Sequence, residues 1–335
     1  SNAIIFSNGD NDTYPLWYVQ EVEGIGVNAK NVNMSLLGMS YYIDQVKKKT
    51  YSADGTPSQL TNEFFKGDLV NLGAKRVRVT KSKKYVPIKE AIKRIDSLGT
   101  CPKKIKIPIN KKNINNPLWL ERTIPDFIRL TIKGKPLGDG QTRILDQASI
   151  ALLDILANFN WERPLYFISA QQTLDLFIVK KNNDPGLLNY LQTEGAVQRL
   201  VPFNTYQERV NIDKSYDLLM NKYNYGNISD ENTYVGYYTD ISISSFRKAF
   251  VDLSKALLEK TSIDALMKDK AIALADKYFE ELPYSTGYLD HNYESGVSHS
   301  VLMAGIYLDI QSQELNQMEG EFIEKILQYR DTVEL

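Results

Sequence analysis

The sequence predicts an α/β domain followed by an all-α region, and three observations support this fold class. Residues 4–6 are a β-prone apolar run, a turn rich in Asn, Gly and Asp follows, and an aromatic helix begins directly after it. Residues 30–37 and 39–49 repeat this order of strand and helix, which is typical of parallel strands joined by right-handed crossovers. Beyond about Thr205 the apolar spacing is helical. We therefore expect a Rossmann-like, mostly parallel mixed sheet with helices on its faces, and then a tetratricopeptide-like helical array.

The change of pattern near Thr205 divides the chain into two predicted domains. The α/β domain covers residues 4–205, and the helical, tetratricopeptide-like domain covers residues 206–335. Residues 1–3, Ser-Asn-Ala, resemble the remnant of a cleaved expression tag and are treated separately. No stretch approaches the roughly 20 apolar residues that a membrane-spanning helix needs.

The turn after the first strand has a simple structural interpretation. Gly9 supplies the turn, and Asp12 or Thr13 can cap the helix by accepting hydrogen bonds from its free N–H groups. Pro15 suits the first turn of the helix, where its missing N–H is no loss. On this interpretation the acidic residues serve the helix alone.

A binding site is the alternative interpretation of the same turn. In open α/β sheets, ligands bind beside strand-to-helix turns of this kind. Carboxylate and amide oxygens suit calcium or magnesium as well as sugar hydroxyls, although the spacing differs from that of an EF-hand loop. The candidate binding or docking residues here are Asn8, Asp10, Asp12, Tyr14, Trp17 and Glu21.

Alternating strands and one amphipathic helix come next. Residues 76–79 alternate as a strand that could form one edge of the sheet. Residues 87–98 carry apolar side chains at helical spacing, with a proline at the start. Residues 104–109 and 127–132 both alternate, which predicts that they pair as an antiparallel extension of the sheet.

A second group of candidate residues lies at a corner after a buried helix. Residues 144–159 are apolar on nearly every side, which predicts a helix covering a sheet face, and a strand follows the corner. Asn160, Trp161 and Arg163 occupy the corner and are further candidate binding or docking residues. Structurally, Trp161 would fill the corner and Arg163 would complement the helix dipole. Alternatively, Trp161 or Trp17 would be a stacking platform for a sugar.

The C-terminal region predicts helices only. Their expected ranges are residues 214–222, 244–260, 263–282, 296–311 and 313–329. In the third helix, Ala271, Ala275 and Tyr278 share one face. Ala271 and Pro283 stand twelve residues apart, as in the second helix of a tetratricopeptide repeat, and the last two helices could be a degenerate second copy.

Composition excludes several classes of function. Lys and Arg total 40 and Asp and Glu total 41, so the net charge of −1 gives no electrostatic case for nucleic acid or an anionic membrane. The single cysteine, Cys101, excludes an intramolecular disulfide and a zinc site built on several thiolates. Gly134-Lys135 is followed by Pro136, so this glycine-rich loop is not a P-loop. We predict neither a cofactor nor a metal site.

The two histidines do not predict a hydrolase. His291 follows Asp290, and His299 stands between Ser298 and Ser300, but neither serine lies in a nucleophile elbow. Both histidines lie in helical-looking sequence, and we expect ordinary structural roles for them. We predict no catalytic residue.

The opening motif resembles the hallmark of a large family of multi-pass membrane proteins of Gram-negative bacteria, long labelled only as a domain of unknown function. It runs over residues 6–18 and continues over residues 20–24. The similarity extends to residues 33–37, 42–45, 86–88, 153–158, 160–161, 163–164, 194–195, 199–202, 220–222 and 226–227. It therefore covers most of the chain.

Members of that family resemble protein O-mannosyltransferases, which are GT-C-type membrane glycosyltransferases. The resemblance implies a multi-spanning N-terminal half, a soluble C-terminal half outside the cytoplasm, and sugar transfer from a lipid-linked donor. It identifies this chain with the soluble portion on the periplasmic side of the cytoplasmic membrane, starting just after the last membrane helix. The catalytic acid of such enzymes lies in the membrane half, so we expect no catalysis by this chain alone.

Two functions follow from these expectations. The first is a non-catalytic periplasmic module that supports acceptor or partner binding, with the chain's own transmembrane half and an acceptor protein or glycan as partners. On this view the turn at residues 8–12 and the helix after it dock against the membrane half. The alternative is an α/β domain with its own carbohydrate or divalent-cation site at that turn.

Overall fold

The protein has a mixed α/β fold with mixed sheets, and helices form its C-terminal part. The computed structural model describes residues 2–65, 75–138, 140–168, 186–230, 232–261, 265–282 and 303. Two compact units divide the chain: Ser1–Gln192 with Val197–Gln207, and Thr193–Ala196 with Glu208–Leu335. The coarse prediction of an α/β part followed by helices is confirmed.

The strands are short. They are β1 (Ile4–Ser7), β2 (Lys30–Asn33), β3 (Val77–Thr80), β4 (Val86–Pro87), β5 (Thr100–Pro102), β6 (Lys104–Pro108), β7 (Phe127–Thr131), β8 (Lys135–Pro136), β9 (Arg143–Leu145), β10 (Leu165–Phe167), β11 (Leu191–Glu194) and β12 (Val197–Leu200).

The helices range from single turns to long rods. They are α1 (Asp10–Glu21), α2 (Ser40–Val46), α3 (Asn62–Phe65), α4 (Ile88–Leu98), α5 (Pro117–Leu120), α6 (Gln147–Asn158), α7 (Ile212–Asp217, continued as a π-helix over Leu218–Lys222), α8 (Tyr237–Thr261) and α9 (Ala265–Glu281). Short 3₁₀ segments occupy Leu36–Gly38, Lys111–Asn113 and Leu187–Tyr190.

The first sheet is parallel at its centre, as the opening pattern predicts. Its order is β11-β12-β10-β1-β2, and β1 pairs in parallel with β2 on one side and with β10 on the other. Strand β12 runs antiparallel to β10. Ile4, Phe6 and Phe167 are fully buried, and the rings of Phe6 and Phe167 stack with centroids 5.1 Å apart. One face of this sheet therefore forms part of the main hydrophobic core.

The remaining strands of the first unit form two further sheets, which corrects the expectation of one extended sheet. Strand β3 lies inside a four-stranded sheet of order β5-β3-β9-β8, so the prediction that it forms an edge is wrong. Strands β4, β6 and β7 form a three-stranded sheet. The predicted antiparallel pairing of β6 with β7 is confirmed, with Ile105 opposite Leu130. A connection as short as the single residue Lys103 takes the chain from one sheet to the next. No periodic pattern in the sequence predicts such a crossing.

Helix α6 is the central element of the core. Ten of its 12 residues are buried. Its carboxylate Asp154 is fully buried and accepts hydrogen bonds from the backbone N–H groups of Gln59 and Leu60, both at 2.9 Å, and from the Ser58 hydroxyl. Asp154 therefore fixes a loop to the helix, because one oxygen of this buried carboxylate accepts all three of these hydrogen bonds.

The second unit has its own core between α8 and α9. Ala271, Ala275 and Tyr278 are fully buried, which confirms the face predicted from their spacing. The ring of Tyr278 meets Phe250 of α8 with centroids 5.6 Å apart. Helix α8 begins at Tyr237, seven residues before the predicted start. The predicted helices 296–311 and 313–329 lie outside the described residues, apart from Met303.

Candidate functional site

The turn after β1 forms as predicted, but its capping differs. Gly9 has φ of +82°, the left-handed region that favours glycine, and α1 begins at Asp10 without a side-chain cap. Asp12 instead accepts a hydrogen bond from the backbone N–H of Asn8, at 3.1 Å. Asp10 and Asp12 in the first turn also complement the positive end of the helix dipole. Because α1 starts at Asp10, Pro15 lies in its second turn, and the predicted first-turn position is wrong.

Thr13 is buried against the sheet and does not cap the helix. Its hydroxyl lies 2.8 Å from the Ser7 hydroxyl and accepts a hydrogen bond of 2.8 Å from the Asn33 side-chain amide. Ser7 also donates to the Asn31 side-chain oxygen at 2.8 Å. All four side chains are at least nine-tenths buried. Helix α1 therefore rests on polar ends of β1 and β2 through hydrogen bonds.

One more buried polar residue completes this interface. Gln20 lies two turns after Thr13 on the same side of α1, and its side-chain amide donates to the carbonyls of Gly26 and Ala29 at 2.9 and 2.8 Å. We call the set Ser7, Thr13, Gln20, Asn31 and Asn33 the polar seam. These residues are buried and engaged with one another or with the backbone, so the seam is a structural contact of α1 with the sheet and with the loop before β2.

The outer side of α1 carries the candidate aromatic residues. Tyr14 is 56% exposed, and its ring lies 5.8 Å from that of the half-buried Trp17. Tyr18 and Val22 continue this surface at four-residue spacing, with exposed fractions of 56% and 65%. Glu21 accepts a hydrogen bond from the hydroxyl of Tyr51, which raises the pKa of Tyr51. Large aromatic side chains, with Val22 beside them, are thus grouped on one exposed side of α1.

The second candidate group lies at the corner after α6, where Trp161 is part of the core. Its ring is 8% exposed, packs 5.1 Å from Phe159, and donates through Nε1 to the Pro108 carbonyl at 3.0 Å. Trp161 has φ of +69°, so the corner is a sharp left-handed turn made by a bulky residue. Asn160 is exposed, and its carbonyl accepts a hydrogen bond from Asn113 at 2.8 Å. The buried Trp161 ring leaves little surface on which a sugar could stack.

Arg163 contacts backbone carbonyls of other segments, which corrects its predicted role at the helix dipole. Its guanidinium donates to the carbonyls of Asn2, Gly55 and Asp54 at 2.7, 2.7 and 3.0 Å. Burial lowers the pKa of Arg163, and the nearby Asp54 charge opposes that effect. Arg163 therefore joins the corner to the segment before β1 and to the loop after α2.

Lys30 is a buried cation that sequence reasoning missed. Its ammonium donates to the Lys48 carbonyl at 2.7 Å and to the Thr50 hydroxyl at 2.6 Å. Burial lowers the pKa of Lys30, and the positive charge of Arg163 lowers it further. Lys30 and Arg163 together attach the loop at residues 48–55 to the first sheet. A lysine at the start of a strand carries no signal for such a role.

The structure contains no evident metal centre in the ranges that it describes. Among those residues, no group of three or more His, Cys, Asp or Glu side chains could hold a metal ion. Asp10 is exposed, and the Asp12 carboxylate is engaged with the turn itself. His291 and His299 lie outside the described residues. Cys101 is buried, and burial raises its pKa to about 12, so this thiol is protonated at neutral pH.

Comparison with known families matches the model of TMEM260-associated domain 2 to residues 1–218, which is about two thirds of the chain. The chain belongs to this family. Neither the curated proteins nor the solved structures include a match to it. The name of the TMEM260-associated domain family points to a membrane protein, which confirms that part of the resemblance seen in the sequence. Across the described ranges, no helix combines the length and apolar character needed to cross a bilayer.

Proposed function

We propose that this TMEM260-associated domain is a non-catalytic, periplasmic module of a membrane-bound, glycosyltransferase-like protein, and that it supports acceptor or partner binding. Two observations support the proposal. The family match covers residues 1–218, and the opening motif resembles membrane proteins of the protein O-mannosyltransferase class. The polar seam beneath the motif is engaged in packing, which favours a structural role for the conspicuous polar residues.

The exposed aromatic side of α1 carries the proposal. Tyr14, Tyr18 and Val22 fall one turn apart, and Ile25 just beyond the helix is 63% exposed. Grouped apolar residues on a surface mark interaction sites more often than scattered ones do. Tyrosine suits such a site because its ring is apolar and its hydroxyl can stay hydrated. The proposed occupant is the transmembrane half of the longer protein, and the second, helical unit is left to hold an acceptor or partner.

Substitution of these tyrosines in the full-length protein tests the docking role. Tyr14→Ser with Tyr18→Ser should abolish or redirect sugar transfer to exported proteins, since the module would no longer be held in place. Glycoproteomics of a strain carrying the variant gives the readout. Tyr41→Ser with Tyr206→Ser is the matched control, because these tyrosines are 58% and 70% exposed and lie in the first unit outside α1. Unchanged glycosylation with normal protein levels would count against the proposal.

A carbohydrate or divalent-cation site at the turn is the second candidate. The observation in its favour is the position of Asn8, half-buried at the carboxyl end of β1, with its side-chain oxygen 3.5 Å from the Ser35 hydroxyl. Asp10 is exposed beside it. Isothermal titration with calcium, magnesium and short glycans should give heat that Asp10→Ala with Asp12→Ala removes. No heat at millimolar ligand would eliminate this candidate.

Two finer features of the fold also remain proposals. The parallel order β10-β1-β2 supports a Rossmann-like origin for the first sheet, although the sheet ends in the antiparallel strand β12. The pair α8 and α9, with a buried alanine face, supports a tetratricopeptide-like array. An experimental structure that includes residues 283–335 would test the array, which requires a second helix pair there.

A further inference from the structure

A cleft of about 470 Å³ in the first unit has a strongly basic lining. Five cationic side chains border it: Arg78, Lys81, Lys103, Lys133 and Arg143. The other described lining residues are uncharged, so no acidic side chain borders the cleft among the residues that the structure describes. Its volume lies within the range of about 300–1,000 Å³ that small-molecule sites occupy. The chain as a whole has a net charge of −1, so this concentration of positive charge is local.

The cleft forms where the chain crosses between the two smaller sheets. Three connections run side by side there: residues 81–85 from β3 to β4, Lys103 from β5 to β6, and residues 132–134 from β7 to β8. Lys103 joins the other two, because its N–H donates to the Thr80 carbonyl at 2.8 Å and its carbonyl accepts from the Ile132 N–H at 2.7 Å. The backbone beneath the cationic side chains is thus fixed by hydrogen bonds.

The five cations have no counter-ions in the described part of the chain. All five are exposed, and none forms an ion pair with a described residue. Other cations of the same unit do pair, such as Lys111 with Asp126 at 2.9 Å. Five like charges around one cleft repel one another, and an anion that enters relieves that repulsion.

We propose that this cleft binds a phosphorylated ligand that carries a diphosphate or an equivalent group with at least two negative charges. Guanidinium groups contact phosphate through two parallel N–H bonds, and lysine ammonium groups contact it as point charges. A single inorganic phosphate would leave most of the volume empty, so the ligand extends beyond one phosphate. Val79 offers an apolar wall for that remainder. This site lies apart from α1 and does not depend on the function proposed above.

Two chemical sources can present such a group, a soluble phosphate ester and a lipid headgroup, and separate probes distinguish them. Isothermal titration of the full chain with inorganic diphosphate and with ADP tests the soluble source. Flotation with phosphatidylcholine vesicles, with and without phosphatidic acid, tests the headgroup. Binding to either kind of probe supports the site and names its source. Absence of binding to every probe at low salt overturns the proposal.

Matched charge variants separate the cleft from general surface charge. Lys103→Ala with Lys133→Ala removes two cleft cations, whereas Lys89→Ala with Lys93→Ala removes two exposed lysines from α4. We expect the cleft variant to weaken binding at least about tenfold, equivalent to about 1.4 kcal/mol, and the α4 variant to bind within about twofold of wild type. Lys103→Arg with Lys133→Arg keeps both positive charges and should bind as the wild type does. Equal weakening by both alanine variants would overturn the proposal, and circular dichroism confirms folding in each case.

Discussion

Thr13 shows how a single hydroxyl can serve two partners at once. It lies 2.8 Å from Ser7 and 2.8 Å from the Asn33 amide, in a region where water cannot replace it. Thr13→Val keeps the shape of the side chain but removes the acceptor of the Asn33 side-chain amide and leaves Ser7 with its bond to Asn31 alone, so we expect a loss of about 1–3 kcal/mol in the free energy of unfolding. Urea denaturation of the variant measures this. Thr123→Val at an exposed position is the control, and equal stability of the two variants would contradict the prediction.

Asp146 gives a pH-dependent prediction at the same scale. It caps α6 by accepting a hydrogen bond from the Ser149 N–H at 3.0 Å, and it pairs with Lys135. Burial alone would raise the pKa of Asp146, but hydrogen bonds from Lys135 and Ser149 outweigh it and lower the pKa. Asp146→Ala should therefore cost about 1 kcal/mol at neutral pH.

The sign of the pH dependence follows from the lowered pKa of Asp146. The stabilisation is present above the unfolded-state pKa, about 3.9, and is lost as pH falls through the lower folded-state pKa. The stability difference between wild type and Asp146→Ala should thus be constant near neutral pH and shrink in acid. Asp96→Ala, on the exposed side of α4, serves as the control and should change stability by less than about 0.5 kcal/mol. A difference that grows in acid would refute this account.

At the scale of elements, Gly134 is required where β7 crosses to β8. It has φ of +64°, and a Cβ there would lie 2.9 Å from the Ile144 carbonyl oxygen and 3.0 Å from a Val79 methyl carbon. Gly99, which ends α4, has a similar φ of +61° but open space around it. Gly99→Ala should cost about 1–2 kcal/mol from backbone strain alone. Gly134→Ala should cost about 1–3 kcal/mol more, because neighbouring strands must move.

Thermal unfolding of the two glycine variants measures this difference. If Gly134→Ala and Gly99→Ala lowered the melting temperature equally, the close approach of β3 and β9 to Gly134 would have no energetic consequence. The prediction also bears on the basic cleft, because Gly134 follows Lys133 directly in the sequence.

Elements with strong periodicity could be predicted from the sequence, and short ones could not. Helix α4 has four buried apolar residues at helical spacing, and its predicted and observed ranges differ by one residue. Strands of two or three residues, such as β5 and β9, contain too few positions to show a period of two. The division into three sheets depends on such strands, so it could not be foreseen.

The candidate sites show the same limit. The turn at Gly9 could be predicted because its residue types have local conformational preferences. The partners of Thr13 and Arg163 could not, because they lie elsewhere in the sequence. The basic cleft is a further case: Lys81, Lys103 and Lys133 are separated by about twenty to thirty residues, and only the crossings between sheets bring them together.

At the scale of the whole molecule, the two compact units interleave in the sequence. Thr193–Ala196, at the tip of the hairpin between β11 and β12, belongs with the second unit. There Gly195 has φ of +64°, and its Cβ position lies 2.3 Å from the Tyr223 hydroxyl, which itself accepts a hydrogen bond from the Ala196 N–H at 3.2 Å. Gly195→Ala should displace Tyr223 and destabilise the second unit by about 1–3 kcal/mol.

Hydrogen exchange with mass spectrometry can read this effect unit by unit. Amides of α7 should exchange faster in Gly195→Ala, whereas amides of β6 and β7 in the first unit should keep their wild-type rates. Uniform acceleration across both units would show that they unfold as one cooperative body.

The polar seam has a consequence for the orientation of α1. A helix that rests on apolar side chains can rotate or shift along its axis and still keep much of its contact area, because that contact is non-directional. Hydrogen bonds at Thr13 and Gln20 allow only one rotation angle of α1 about its axis, because any other angle would break the bonds of both side chains. The seam therefore fixes the side of the domain on which Tyr14 and Tyr18 are exposed. Any partner of those rings meets them in one fixed orientation.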